Sequence, residues 1–116
     1  MARYVTEDLC DRLFKLTGWE DTQEVFVNGK PTWRNSPGVA DTNTPVYRMG
    51  YLLDKLDNIH LELKHPYLGV DYLNLWGAYY YADDYYGVDY VAAGKTPEEA
   101  MAKLTIELFE KGVIRE

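Results

Sequence analysis

Three observations predict an α+β fold, a mostly antiparallel sheet packed with three helices as an α-β-α sandwich. Three segments carry apolar residues at helical spacing behind capping residues. Several runs of β-forming residues are joined by short turns, which implies antiparallel neighbours. The longest of those runs, Val70–Tyr81, is apolar on both faces, which favours helices on both sides of the sheet. The chain has 116 residues, the size of one domain, 1–116, able to bury a core without metal or disulfide staples.

The first helix is expected over Thr6–Thr17. Thr6 is placed to cap it, Glu7 and Asp8 suit the positive end of the dipole, and Leu9, Leu13 and Leu16 repeat at helical spacing. Gly18 follows as a left-handed stop. A hairpin comes next: Glu24–Val27 and Thr32–Arg34 flank Asn28-Gly29, a strong short-range turn signal, and Pro31 assigns the second strand to an edge. Residues 35–43 form the one substantial loop.

A second helix is expected over Thr44–Leu56. Thr44 serves as cap and Pro45 as first residue, and Val46, Met49, Leu52, Leu53 and Leu56 form the apolar stripe. Gly50 weakens it and allows close packing on a sheet. Ile59, Leu61 and Leu63 alternate with His60, Glu62 and Lys64, as in a strand with one buried face. Val70–Tyr81 runs forward, Ala82-Asp83-Asp84 turns, and Tyr85–Ala93 returns. The third helix, Thr96–Lys111, opens on the capping box Thr96-Pro97-Glu98-Glu99. Ala100, Met101, Leu104 and Leu108 line one face, widened by Ile106 and Phe109. Gly112 stops the helix, and Val113 and Ile114 fold back on its last turn.

Charge narrows the function classes. Nineteen Asp and Glu oppose twelve Lys and Arg, for a formal net charge of −7. The cations are scattered singly, so the basic footprint that nucleic-acid binding requires is missing. A carboxylate-rich surface suits solubility or a basic protein partner. With Cys10 alone no internal disulfide can form, which fits a reducing compartment. Residues 1–10 hold no signal-type apolar stretch, and no apolar run reaches membrane-spanning length. A cytoplasmic location is therefore expected.

Several motifs fail on their chemistry. Gly94-Lys95-Thr96 lies between a strand and a helix like a phosphate loop, but the leading glycine of that loop falls at Asp89, and Pro97 removes a donor. Asp41-Thr42-Asn43 opens like a calcium loop, but Val46 and Leu52 stand where glycine and glutamate are required. His60 and His65 lack third and fourth ligands at metal-binding spacing. Asp8 and Asp11 raise the Cys10 thiol pKa and blunt it as a nucleophile, and Ser36 belongs to no hydrolase motif. Hence no catalysis, no cofactor and no metal are expected.

The remaining signal is the segment Val70–Tyr90, with seven tyrosines and four aspartates and no cation from there to Lys95. Val70, Tyr72, Trp76, Ala78 and Tyr80 share one face of a strand, and Leu73, Leu75, Tyr79 and Tyr81 the other. Core packing accounts for part of this. Tyr79, Tyr80, Tyr81, Tyr85 and Tyr86 are expected together at a hairpin tip with Asp83 and Asp84. There they form a protein-binding surface, since tyrosine gives large rigid contact at low entropic cost.

Thr44-Pro-Val-Tyr-Arg-Met-Gly-Tyr-Leu-Leu-Asp-Lys-Leu56, the tyrosine-rich hairpin, and Lys95-Thr-Pro-Glu-Glu-Ala with Leu108-Phe-Glu-Lys-Gly-Val-Ile114 resemble short proteins of phages and prophages, some of them grouped as "phage ABA sandwich" proteins. The opening YVTEDLCDRL with TGW is similar to related small mobile-element proteins. The resemblance implies a helix–sheet–helix sandwich of phage origin, in the host cytoplasm, and supplies no activity. The expected function is a non-catalytic protein-binding module, inhibiting a host nucleic-acid-binding or defence factor by imitating phosphates and bases. Its partner is a host or phage protein with a basic surface, with no direct nucleic acid and no membrane. The alternatives are a binder of a nucleotide- or sugar-like ligand, and a structural homo-oligomer joined through the exposed hairpin edge.

Overall fold

The computed structural model describes residues 4–40, 42–56, 60–65, 74–81 and 90–114. Its elements run α1 (Glu7–Thr17), β1 (Glu24–Val27), β2 (Lys30–Trp33), α2 (Met49–Lys55), β3 (His60–Lys64), β4 (Trp76–Tyr81), β5 (Tyr90–Gly94) and α3 (Pro97–Glu110). They make one two-stranded sheet, β1-β2, and one three-stranded sheet in the order β3-β4-β5, both antiparallel. The α+β class follows directly.

α1 ends as its sequence requires. Gly18 takes φ 73° and returns its N–H to Phe14 O at 2.7 Å, a conformation that costs glycine nothing. Thr6 occupies the N-cap position, but its hydroxyl caps nothing. Cys10 and Leu13 are buried, with Leu9, Phe14 and Leu16 half-buried around them.

The hairpin has the register of a two-residue turn, with Asn28 at φ 52° and Gly29 at φ 79°. Val27 pairs with Lys30, Phe26 with Pro31, Val25 with Thr32 and Glu24 with Trp33. Positive φ at both turn positions matches the twist of the strands, which is why Asn-Gly is found there.

The second helix departs from expectation. Residues 44–47 are extended, and α2 begins only at Met49. Phe26 N donates to Thr44 O at 2.8 Å, Val46 N to Glu24 O at 3.0 Å, and Val5 N to Tyr47 O at 2.9 Å, while Pro45 bridges Val25. The segment is thus a strap along the free side of β1. Proline drives Thr44 toward extended backbone, and its missing N–H is harmless at a lone bridge. Burial of Val46 and Tyr47 favours the strap over a longer helix. Leu53, placed in the apolar stripe from sequence, is 44% exposed. A Cβ at Gly50 would meet nothing within 4 Å, so that glycine serves no close packing.

α3 holds the molecule together. It packs on β4 and β5 and touches both α1 and α2. Buried positions run Ala100-Met101-Ala102 and Leu104-Thr105-Ile106, with Leu108 beyond. Three consecutive buried residues span most of a turn, so the helix is enclosed well beyond one face. Thr105 satisfies its buried hydroxyl on Met101 O at 2.7 Å. The N-terminus is capped twice: Glu99 N donates to Thr96 Oγ1 at 3.1 Å, and Lys95 N donates to Glu99 Oε2 at 2.8 Å. Gly94 abuts this turn so closely that a Cβ there would lie 2.6 Å from Ala100 N. The Gly94-Lys95-Thr96 run is therefore a packing and capping device: Lys95 N–H serves the Glu99 carboxylate and the Thr96 hydroxyl accepts from Glu99 N–H. At the other end, Gly112 takes φ 75°, Gly112 N bonds Phe109 O at 3.1 Å and Val113 N bonds Leu108 O at 2.9 Å. This is the paired closure of a glycine stop.

Candidate binding site

The residues expected at a hairpin tip separate into two groups. Tyr79, Tyr80 and Tyr81 belong to β4, the middle strand, where they pair with β3 on one side and, for Tyr79 and Tyr80, with β5 on the other. Central placement gives these rings interior contacts that a tip would lack. Tyr79 is only 2% exposed, with the Lys64 ammonium 5.5 Å from its ring centre, and so offers no ring to a partner. Tyr80 stacks on Tyr90 at 5.9 Å and packs against the core. Tyr81 donates its hydroxyl to Glu62 Oε1 at 2.7 Å. That bond lowers the Glu62 pKa and raises that of Tyr81. Of the three, Tyr81 has the freest ring, fixed to a surface carboxylate. Asp83, Asp84, Tyr85 and Tyr86 lie outside the described residues.

Cys10 is fully buried, and its Sγ lies 3.3 Å from Val5 O. Its pKa is pushed up to about 12, mainly by burial, with Glu7 rather than Asp8 or Asp11 as the contributing charge. The thiol stays protonated and unreactive at neutral pH. His65 has Nε2 3.0 Å from Asn74 Oδ1 and its ring against Trp76.

A concave surface of the described residues lies elsewhere. A cleft of about 480 Å³ separates α2 from residues 21–24, lined by Asp21, Thr22, Gln23, Glu24, Val46, Arg48, Gly50, Tyr51 and Asp54. It shares Asp21 and Thr22 with a hollow of about 510 Å³ that adds Glu20 and Arg34. Arg34 and Gln23 in turn line a third hollow of about 280 Å³ with Trp33 and Asn35. The three make one trough from α2 to the edge of the hairpin.

Local structure fixes each wall. Register places Trp33 directly opposite Glu24. Arg34 beneath the trough donates from Nε to Thr22 O at 2.5 Å, and from Nη2 to Glu20 O at 2.5 Å and Thr22 Oγ1 at 3.1 Å. These bonds tie the lead into β1 to the end of β2. Arg48 grips Glu24 with two bonds, Nε to Oε1 at 2.7 Å and Nη2 to Oε2 at 3.1 Å, the strong bidentate form. Tyr47, fully buried, donates its hydroxyl to Trp19 O at 2.5 Å and anchors the strap below.

Tyr51 donates its hydroxyl to Asp21 Oδ1. That bond, aided by Lys55, holds the Asp21 carboxyl below its usual range. Burial and then the Asp21 bond push the Tyr51 hydroxyl up. Asp21 thus stays ionised and Tyr51 neutral across ordinary pH. Lys55 lies 3.5 Å from Asp21 and across the faces of Trp19 and Tyr51, but its side chain is 27% exposed against 70% for Asp21. The carboxylate is therefore outermost and the cation tucked beneath. Glu20, Asp21 and Asp54 are all exposed on the rim, and at the far end Trp33 is 57% exposed. Trp heads the residues that anchor binding interfaces.

The sequence assigns none of these trough residues to a binding site. The signal was present: the Asn28-Gly29 turn fixes the register, which sets Trp33 opposite Glu24 on a strand that Pro31 assigns to an edge. No known protein-family description, no curated protein and no solved structure matches this chain. Among the described residues no helix is long and apolar enough to cross a membrane.

Proposed function

We propose that this chain is a non-catalytic protein-binding module whose trough docks a partner with a basic surface. The observation that carries the reading is Trp33. It stands 57% exposed on a hairpin locked by Arg34, beside a rim on which the carboxylates of Glu20, Asp21 and Asp54 are exposed together with the Arg48 guanidinium. A rigid indole supplies the apolar anchor at little entropic cost. Glu20, Asp21 and Asp54 supply charge for lysine or arginine side chains. The net charge of −7 steers such a partner from a distance. The wider reading keeps the phage-type resemblance: an accessory protein that inhibits a host nucleic-acid-binding or defence factor by offering carboxylates and rings in place of phosphates and bases.

The test is capture from a bacterial host lysate at low and high salt by the parent chain and by two variants. Trp33→Ala with Asp54→Lys removes the trough, and Asp83, Asp84 and Tyr85→Ala removes the tyrosine-rich hairpin. Loss of the salt-sensitive partner with the first variant alone is the expected result. A partner retained unchanged by the first variant rejects the trough, and its loss with the second returns the site to the hairpin.

A second reading rests on the exposed amides of Gln23 and Asn35 beside the Trp33 ring. A sugar or base stacked on the indole would find hydrogen-bonding groups on both sides. A change in Trp33 fluorescence on titration with oligosaccharides or nucleosides, absent in Trp33→Phe, would favour it.

A further inference from the structure

Arg34 differs from the other cations of the trough. Arg48 is gripped by the Glu24 carboxylate, and Lys55 lies 3.5 Å from Asp21. Among the described residues Arg34 has no carboxylate within 4.0 Å. Its Nε and Nη2 donate to Thr22 O, Glu20 O and Thr22 Oγ1, all uncharged acceptors. A guanidinium has five N–H donors and stays charged at any ordinary pH. Those bonds fix the group in place without neutralising it. The hydrogens of Nη1, and the positive charge, are left for another group.

The hollow beside Arg34, of about 280 Å³, is lined by Gln23, Trp33, Arg34 and Asn35. None of the four is acidic, which reverses the local sign in a chain of net charge −7. Carboxylates nearby are engaged elsewhere. Glu24, opposite Trp33, is paired with Arg48, and Asp21 is held by Tyr51 and Lys55. Glu20 gives Arg34 its carbonyl, not its carboxylate. The frame is also set before anything binds. Arg34 N donates to Gln23 O at 3.0 Å and Ser36 N to Trp33 O at 3.1 Å, which lowers the entropic cost of binding. An indole face takes a planar ring by stacking, and a guanidinium takes an anion. The exposed amides of Gln23 and Asn35 offer a donor and an acceptor each to a ring edge. The volume is small for a ligand site. It suits one ring and one anionic group and leaves no room for a polyphosphate.

We infer that this hollow binds a small ligand with one planar ring and one anionic group. The ring lies on Trp33, and the anion, the phosphate of a mononucleotide or the carboxylate of an aromatic acid, on Nη1 of Arg34. The inference rests on the ligand-binding reading of Trp33 and is independent of the docking of a protein partner.

Isothermal titration calorimetry on the full chain at low salt tests it with each anionic probe beside its neutral twin. The pairs are adenosine monophosphate with adenosine, and benzoate with benzamide; inorganic phosphate supplies the anion without a ring. At least one anionic probe is expected to bind about tenfold or more tighter than its twin and than phosphate. The gap should narrow at high salt. A lead for adenosine monophosphate marks a phosphate ligand, and a lead for benzoate a carboxylate. Binding should shift the nuclear magnetic resonance signals of the Trp33 indole N–H and the Arg34 Nε–H in the parent chain, which avoids disturbing the bonds that Arg34 makes. Trp33→Ala, at an exposed ring, should melt like the parent and bind about tenfold more weakly. Neutral twins that bind as tightly as the anions overturn the inference and leave the ligand-binding reading standing. Failure of every probe at millimolar concentration overturns both. Binding that leaves both signals unmoved, or is indifferent to Trp33→Ala, also overturns the inference.

Discussion

Gly94→Ala is the sharpest probe of how this fold is held. A Cβ at that position would lie 2.6 Å from Ala100 N and 2.9 Å from both Cβ and Cγ of Glu99. The nearest neighbour is backbone, in the first turn of the enclosed helix, so no side-chain rotation can relieve the contact. Overpacking of this kind costs about 1–3 kcal/mol. The displaced turn also carries the Thr96 and Glu99 caps, and losing a cap costs about 1 kcal/mol. The sum is about 2–4 kcal/mol. For a domain of this size that is a fall of roughly 8–16 °C in Tm. Thermal unfolding followed by circular dichroism, with a urea titration to confirm the free energy, measures it. A variant melting within about 2 °C of the parent would show that β5 and α3 can separate freely, and would refute the argument.

Three further outcomes are expected. Gly50→Ala removes helix-disfavoured flexibility where a Cβ meets nothing, so it should stabilise by about 0.5–1 kcal/mol in urea titration. The Asp21 pKa is depressed in the folded chain below its ordinary 3.8. Its contribution is therefore present above that value and lost as pH falls through the depressed one, and Tyr51→Phe should flatten this acid limb of the stability–pH curve. Cys10 should resist a neutral-pH thiol reagent in the native state and react fully in denaturant, since its thiol is buried with a pKa raised to about 12. Rapid native labelling would contradict its placement.

What was legible in sequence was what local chemistry decides alone. The Asn28-Gly29 turn specifies both the hairpin and its register, because few residue pairs accept positive φ twice. The ends of α3 were readable for the same reason: a capping box and a glycine stop act within four residues. The start of α2 was not readable. Thr44-Pro45 suits a helix start and an extended strap equally well, and the choice was made by the unpaired side of β1, a tertiary partner. Likewise, period-two alternation separates the faces of β4 but could not say that Tyr79 and Tyr80 lie between two strands. Trp33 was not legible as a site because an aromatic residue in a strand reads as core, and only the tertiary packing of the described residues leaves it 57% exposed.

The enclosure of α3 bears on how the molecule is made. Synthesis delivers α1, the hairpin, the strap, α2 and the three-stranded sheet before the helix on which they converge. Until α3 leaves the ribosome, Leu13, Leu52, Leu56 and Ala78 face no finished core. The hairpin can close early on its local turn, but the rest of the nascent chain must wait with its apolar surface unpaired, the condition in which chaperones bind. Docking of α3 is therefore the step that commits these elements to their fold.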